Sequence, residues 1–426
     1  MNKFVGYRCS LCNTEYLPGQ VTYTCPKDGG NLDVVLDYDS IRSKYQPEDI
    51  TSRTDYSLWR YLPLLPVSEY PGAATPLHAV GWTPVFNLAR LGEPLGLKHL
   101  WLKDESGSPT ASFKDRASAI VVARAREIQA EVVVTASTGN AGAALAGMAA
   151  AVGQKAVILA PRTAPAAKVA QLLVFGATVV LVDGSYDDAF DLTIEAAREF
   201  QWYCRNTGYN PFTAEGKKTA ALEIWEWWRT AHQEWHKAAG EGVEHPPLTV
   251  FVPVGDGNII SGIHKGFKDL LMLGWLDRAP RLIGVQAEGS AAIARAFHAG
   301  TESIQPVAAR TIADSISVDL PRDGVRAVRA ARETGGTYLT VPDSEILKAI
   351  SELGKLGIFA EPAGATAYAG LLRAAAEGLV HEEEPILVLN TGSGLKDVKA
   401  AMQAVSEAPV IKPNLAALKA ALKGHM

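Results

Sequence analysis

An α/β protein with two parallel-sheet, three-layer domains is what the sequence predicts, on three observations. From residue 76 onward, segments of strand and helix character alternate. The strand segments are apolar throughout, and each ends in glycine or a polar turn. Strands of that kind are buried on both faces, as in a parallel sheet covered by helices. Third, three of the turns after such strands are crowded with small residues, at the strand ends where open parallel sheets bind ligands. The 426 residues suffice for two or three domains, and 47% hydrophobic with 20% charged residues is ordinary for a globular chain.

Residues 1–38 read as a separate small unit, polar, turn-rich and strand-like. Cys9-x-x-Cys12 followed by Cys25-Pro-Lys-Asp28 has the rhythm of a zinc ribbon. Asp28 stands where a fourth cysteine is usual, and three thiolates with a carboxylate are a less common structural zinc set. Two outcomes stay open: zinc on Cys9, Cys12 and Cys25, or a ribbon that packs without metal. Residues 39–75, rich in Pro, Tyr and Trp, read as a linking arm.

The rhythm that follows starts with the strand "HLWLKDE" and the helix "DRASAIVVARARE". Then come the strands "EVVVTAS", "KAVILAP" and "ATVVLVDG", each with a helix after it, and later "LTVFVPVG", "RLIGVQAEG" and "PILVLNTG". Residues 130–205 are expected to form a small α/β domain, set into a larger one made of 76–129 and 206–426. Residues 230–247 read as an exposed connection. Trp225, Trp227 and Trp228 share a helical pattern and are expected in core or subunit packing.

Several function classes are disfavoured. Lysines and arginines are scattered and the formal net charge is -5, so nothing calls for nucleic acid. The uncharged run 132–154 is long enough to span a bilayer, but "TASTGN" lies inside it. A strand, a tight loop and an Ala-rich buried helix explain it better. The N-terminus has no continuous apolar stretch of signal-peptide type. Four cysteines, three of them within the first 25 residues, point to a reducing cytoplasm rather than a disulfide framework.

Chemistry concentrates at four places. In "DESGSPTASFKDRAS" a broken turn delivers Phe113 and then Lys114 to a helix start. A helix N-terminus already carries positive charge, so a cation there works against stability. "TASTGNAGAA" brings Ser137, Thr138, Gly139 and Asn140 to another helix start, where amides are able to hold a carboxylate. An N-cap with a tight turn is the plain alternative. "VPVGDGNIISG" places Gly255, Asp256, Gly257, Asn258 and Ile259 as a phosphate cradle, with spacing that fits neither a P-loop nor a dinucleotide fingerprint. In "LVLNTGSGLKD", Thr391 ends a strand with its hydroxyl available to a ligand. An amine, an anion cradle and a neutral hydroxyl together suit pyridoxal phosphate.

These segments resemble the tryptophan synthase β family of pyridoxal phosphate enzymes, known as fold type II, and among them the threonine synthases. "PTASFKDR" is similar to that group's "PTGSFKDR", "NTGSGLKD" to its "TGxGLKD", "AEGKKTAALEI" to its "LEGQKT" helix start, and "GIFAEPAGATAYAGL" to its late helix. "STGNAG" and "VPVGDGN" match its carboxylate and phosphate loops, and the N-terminal ribbon recurs there. The resemblance covers nearly the whole chain. It implies Lys114 as the Schiff-base lysine and then the base for the α-proton. It implies the amides of Gly255–Ile259 on the cofactor phosphate, Asn140 on the ring hydroxyl and Thr391 on the ring nitrogen. It further implies Ser137, Thr138 and Gly139 on the substrate carboxylate, an amino-acid substrate, and a homodimer. The implied reaction converts O-phospho-L-homoserine and water to L-threonine and phosphate.

One departure counts against that substrate. The group places an arginine two positions before the Glu of "EGQKT", on the substrate's phosphate, with an Asn-Ser pair upstream. Here Thr213 holds the arginine position and no Asn-Ser pair precedes it. Arg205, Arg162 and Lys168 are the candidates to supply the charge. Alternatives therefore stand beside the synthase: another elimination or replacement enzyme on this scaffold, such as a threonine or serine dehydratase, and a non-catalytic cofactor-binding relative.

Overall fold

The computed structural model describes residues 3–68, 70–137, 139–239 and 246–423. Its strands form three sheets. The first belongs to the N-terminal unit, where β1 (Phe4–Cys9) pairs antiparallel with β2 (Glu15–Tyr16) and β3 (Leu32–Leu36). After it, residues 38–64 make short helices whose apolar side chains, Ile41, Ile50, Leu58, Trp59 and Leu64 among them, are buried in the main core.

Two further sheets carry the strands with apolar runs. The larger contains β4 (Val85–Asn87), β5 (Leu100–Asp104), β10 (Thr249–Pro253), β11 (Arg281–Ala287), β12 (Thr337–Val341) and β13 (Ile386–Asn390). Its order is β12-β11-β10-β13-β5-β4. All pairs are parallel except β4 with β5, so the sheet is mixed, not purely parallel as expected. Three residues, of which Phe86 and Asn87 are exposed, suffice for an antiparallel edge that needs no crossover helix. The smaller sheet is parallel throughout, in the order β8-β7-β6-β9, from β6 (Val132–Ala136), β7 (Lys155–Pro161), β8 (Thr178–Val182) and β9 (Tyr203–Cys204).

Helix Lys114–Glu127 packs on the short helix Phe212–Lys217 and on the helix Asn140–Ala151. The approach is backbone to backbone. A Cβ on Gly216 would come within 2.1 Å of the Arg116 carbonyl oxygen, so only glycine brings Lys217 this close to the Lys114 helix. The uncharged run 132–154 resolves as anticipated into β6, a loop and the buried helix Asn140–Ala151. Among the described residues no helix is long and apolar enough to cross a membrane.

Residues 230–239 are helix rather than a connection. They continue the helix Thr219–Ala239, and residues 240–245 lie outside the described part. No proline or glycine interrupts the segment before Gly240, so nothing stops the helix earlier. Trp225 is buried on that helix and stacks on Trp275, with 5.9 Å between ring centroids, while Trp227 and Trp228 meet Trp101 edge-on.

The N-terminal unit touches both larger sheets' loops. Asn31 Nδ2 donates to the carbonyl oxygens of Gly208 and Arg322, and Arg326 pairs with Asp33 at 2.7 Å. Helix Asn258–Leu273 buries His264, whose imidazole burial holds down to about 3. The unfolded chain takes up a proton there near pH 6.5 while the folded chain does not. Stability is therefore full above pH 6.5 and falls as pH drops toward 3. A His264→Gln variant should show a shallower loss of melting temperature across that interval.

Candidate active site

The site is assembled around the turn before Lys114. Phe113 is fully buried, and its amide donates to the Thr391 carbonyl oxygen at 2.9 Å, tying the turn to the end of β13. Asp115 accepts from the Thr110 amide at 2.6 Å and from its hydroxyl, closing the turn; burial pushes its carboxyl up to about 6. Arg116 points the opposite way into a buried cluster. Its guanidinium reaches Glu105 Oε2 at 2.7 Å and Glu223 Oε1 at 2.6 Å, and Lys103 joins Glu223 at 2.7 Å. With both neighbours clamped, Lys114 is left to face a cavity of about 380 Å³, a size in the range of small-molecule sites.

Lys114 Nζ has no hydrogen bond or ion pair among the described residues. Burial of the ammonium lowers its pKa, with Arg205 adding to that effect and Glu361 and Asp256 opposing it. Facing it, Gly255, Asp256, Gly257, Asn258 and Ile259 line the cavity between the end of β10 and the start of helix Asn258–Leu273. Gly257 sits at φ +89°, and a Cβ there would fall 2.6 Å from the Asp323 carbonyl oxygen. The loop thus offers backbone amides at a helix N-terminus and no bulk of its own, which suits a phosphate. The Asp256 side chain is turned to the chain behind it, where Oδ1 accepts from the Arg322 amide at 2.6 Å. Burial, with Asp323 nearby, pushes that carboxyl up to about 7, which removes much of the conflict with an anion.

The carboxylate loop also reaches the cavity. Ser137, Gly139 and Asn140 line it, and Ser137 Oγ accepts from the Gly139 amide at 3.1 Å; Thr138 lies outside the described residues. Asn140 Nδ2 donates to both Glu361 oxygens, at 2.9 and 3.0 Å, and to Ser315 Oγ at 3.2 Å. Phe113 and Thr391 are buried beside the site and are not cavity-lining. Of the candidate cations, Arg162 pairs with Asp183 at the surface and Lys168 with Asp314; Arg205 is fully buried close to Lys114.

Glu361, Lys217 and the cavity-lining segment 314–320 were not singled out from the sequence. Pro362 marks a helix start, but nothing in that pattern says that the preceding carboxylate turns inward. The segment 314–320 has no periodicity to read. Lys217 left a visible trace, a lysine where the related motif has glutamine. In the N-terminal unit, the sulfur atoms of Cys9, Cys12 and Cys25 and a carboxylate oxygen of Asp28 all lie within 4.8 Å of one another.

An unpartnered lysine opposite a glycine-lined helix N-terminus, in a cavity at strand ends, fits pyridoxal phosphate by the chemistry of its donors. Comparison with known proteins agrees. A family model described as pyridoxal-phosphate dependent enzyme matches residues 77–392. The chain is 38% identical over 419 residues to a threonine synthase of Methanocaldococcus jannaschii, spanning 98% of this chain and 99% of that one. It is 37% identical over 420 residues to a threonine synthase of Methanosarcina acetivorans, spanning 98% of each. Among solved structures, the processed form of threonine deaminase isoform 2 from Solanum lycopersicum superposes with a TM-score of 0.63 at 22% identity, spanning 80% of this chain and 97% of that one, a likeness of fold. The chain is an enzyme of the pyridoxal-phosphate dependent family, and within that family it belongs with the threonine synthases.

Proposed function

We propose that the protein converts O-phospho-L-homoserine and water to L-threonine and inorganic phosphate. The observation that carries this reading is Lys114: an amine with lowered pKa and no partner among the described residues, held at the cavity by a clamped turn. Pyridoxal phosphate, when bound, supplies an aldehyde that takes up amines and a conjugated ring that withdraws electrons from Cα. Lys114 would hold it covalently at rest. The amides of Gly255, Asp256, Gly257, Asn258 and Ile259 would hold its phosphate, Asn140 its ring hydroxyl and Thr391 its ring nitrogen, with Phe113 fixing the lysine's approach. Ser137, Thr138 and Gly139 would orient the substrate carboxylate.

Once released, Lys114 Nζ is the group placed to move protons at Cα and beyond, and desolvation works against its charged form. A neutral hydroxyl at the ring nitrogen does not enforce protonation there, which suits elimination and addition better than transamination. Phosphate leaves from Cγ and water adds at Cβ, so atoms balance between substrate and product. A second reading, a hydroxy-amino-acid dehydratase, draws on Thr213, whose hydroxyl is engaged with Asn210 O and Asn258 Oδ1 and brings no charge. Supplying O-phosphohomoserine and measuring phosphate and threonine together separates the two. Equal release of both is expected. 2-Oxobutyrate from threonine, with no phosphate released, would establish the dehydratase instead.

The protein would act as a homodimer in the cytoplasm. The gathered thiolates of Cys9, Cys12 and Cys25, with Asp28 as a fourth donor, support a structural zinc ion. Metal analysis should then give about one zinc per chain, lost in a Cys9→Ser variant. No metal in either protein would leave the ribbon held by packing alone.

A further inference from the structure

Three cations gather at the cavity, Lys114 and Lys217 on its wall and Arg205 buried behind Thr207, without carboxylate partners. Among the described residues, neither Lys114, Arg205 nor Lys217 has an acidic group within ion-pair distance. Arg205 spends Nη1 on Thr207 Oγ1 at 2.6 Å and Nε on Ser118 Oγ at 3.3 Å, and its buried Nη2 has no partner at all. Lys217 is 1% exposed and lines the cavity, with a single bond to Asn258 Oδ1 at 2.6 Å. Buried unpaired cations are costly, so such a group implies an anion that completes it.

The glycine loop already answers for one anion with backbone amides. The remaining charge comes from other elements, Lys217 from the helix Phe212–Lys217 and Arg205 from the segment after β9, and Lys217 meets the edge of that loop at Asn258. Thr213 and Lys217 stand four residues apart on one helix, hence on one face. Thr213 Oγ1, at 3.2 Å, and Lys217 Nζ both end on the same atom, Asn258 Oδ1. The ammonium therefore arrives beside the uncharged Thr213 hydroxyl. Thr207, half-buried on the cavity wall, accepts from Arg205 and so keeps its own proton to donate.

We infer that Lys217 and Thr207, backed by Arg205, form the receptor for the phosphomonoester of the substrate. This rests on the reaction proposed above and names the residues that set its specificity. Burial holds the Lys217 ammonium far below its usual value, with Lys114 and Arg205 adding to the effect. A dianion that restores the charge takes up a proton as it binds, and its affinity declines as pH rises.

The test uses the holoenzyme and inorganic phosphate as probe, by calorimetry in two buffers of different ionisation heat. Wild type should bind phosphate with proton uptake. Lys217→Gln should weaken phosphate, and raise KM for O-phosphohomoserine, by at least about 30-fold, and abolish the proton uptake, with cofactor affinity unchanged. Thr207→Val, a milder change, should weaken phosphate by about tenfold. Weakened cofactor binding in Lys217→Gln would assign Lys217 to the cofactor's phosphate and overturn the inference. Unchanged phosphate affinity in both variants would overturn it as well. If wild type released no phosphate from O-phosphohomoserine, the reaction reading would fail by itself, and the calorimetry would still decide the receptor.

Discussion

Lys114→Ala should lower kcat by about four orders of magnitude while leaving the protein as stable as wild type, or more so. The activity loss follows from removing the amine that would bind the cofactor covalently and move protons. Borohydride should then fix cofactor to wild type and not to the variant. The stability result is the more discriminating half. A lysine kept for structure has partners, and its loss is destabilising. Lys114 has none among the described residues, it begins a helix, and burial works against its charge. Removing such a cation relieves a cost that the fold otherwise carries. Melting temperatures of the cofactor-free proteins measure this directly. A variant that melted well below wild type would show that Lys114 holds the structure together, contrary to the present reading.

Arg116→Met should have the opposite profile, costing about 3–5 kcal/mol of stability. The guanidinium is fully buried and bonded to Glu105, Glu223 and Thr219. Its loss leaves two buried carboxylates short of their cation, with Lys103 and the Trp82 and Thr83 amides still at Glu223 but only the Thr83 hydroxyl at Glu105 among the described residues. Urea denaturation gives the size of the effect. Adding Glu105→Gln to the Met variant should recover part of it, because one stranded charge is then removed. Acid acts on the same cluster. Burial alone would raise the Glu223 carboxyl, but Arg116 and Lys103 outweigh it and hold it at about 2. The unfolded group titrates near 4.5, so the cluster's contribution is complete above that pH and disappears as pH falls toward 2. Activity should fall with stability in Arg116→Met, since the same clamp aims Lys114.

Strands with strong apolar runs were legible in the sequence. "EVVVTAS", "KAVILAP" and "LTVFVPVG" became β6, β7 and β10 because burial on both faces leaves an uninterrupted pattern. β4 and β9 went unread, since strands of three and two residues carry no period. β12 was readable in principle, being bounded by Gly335-Gly336 and Pro342, but lies between helices with stronger signals. The small-residue loops marked where a ligand would sit only in combination, because each alone reads equally as a turn or helix cap. What they did not announce was the charge around them. Glu361 and Lys217 reach the site through tertiary approach, Glu361 by hydrogen bonding Asn140 across 221 positions of chain, and no local pattern encodes that.

Asn31 gives the N-terminal unit a mechanical meaning. Its one amide nitrogen spans two carbonyl oxygens, Gly208 following the last strand of the smaller sheet and Arg322 on the cavity rim. A rigid amide cannot follow both oxygens if they separate. Moving those two points apart must break one of the two bonds, so Asn31 ties them together. The tie is anchored in the N-terminal unit, where the Asn31 carbonyl oxygen accepts from the Ser10 amide at 2.9 Å, so the order of the first 38 residues and the spacing of those two points are one and the same constraint.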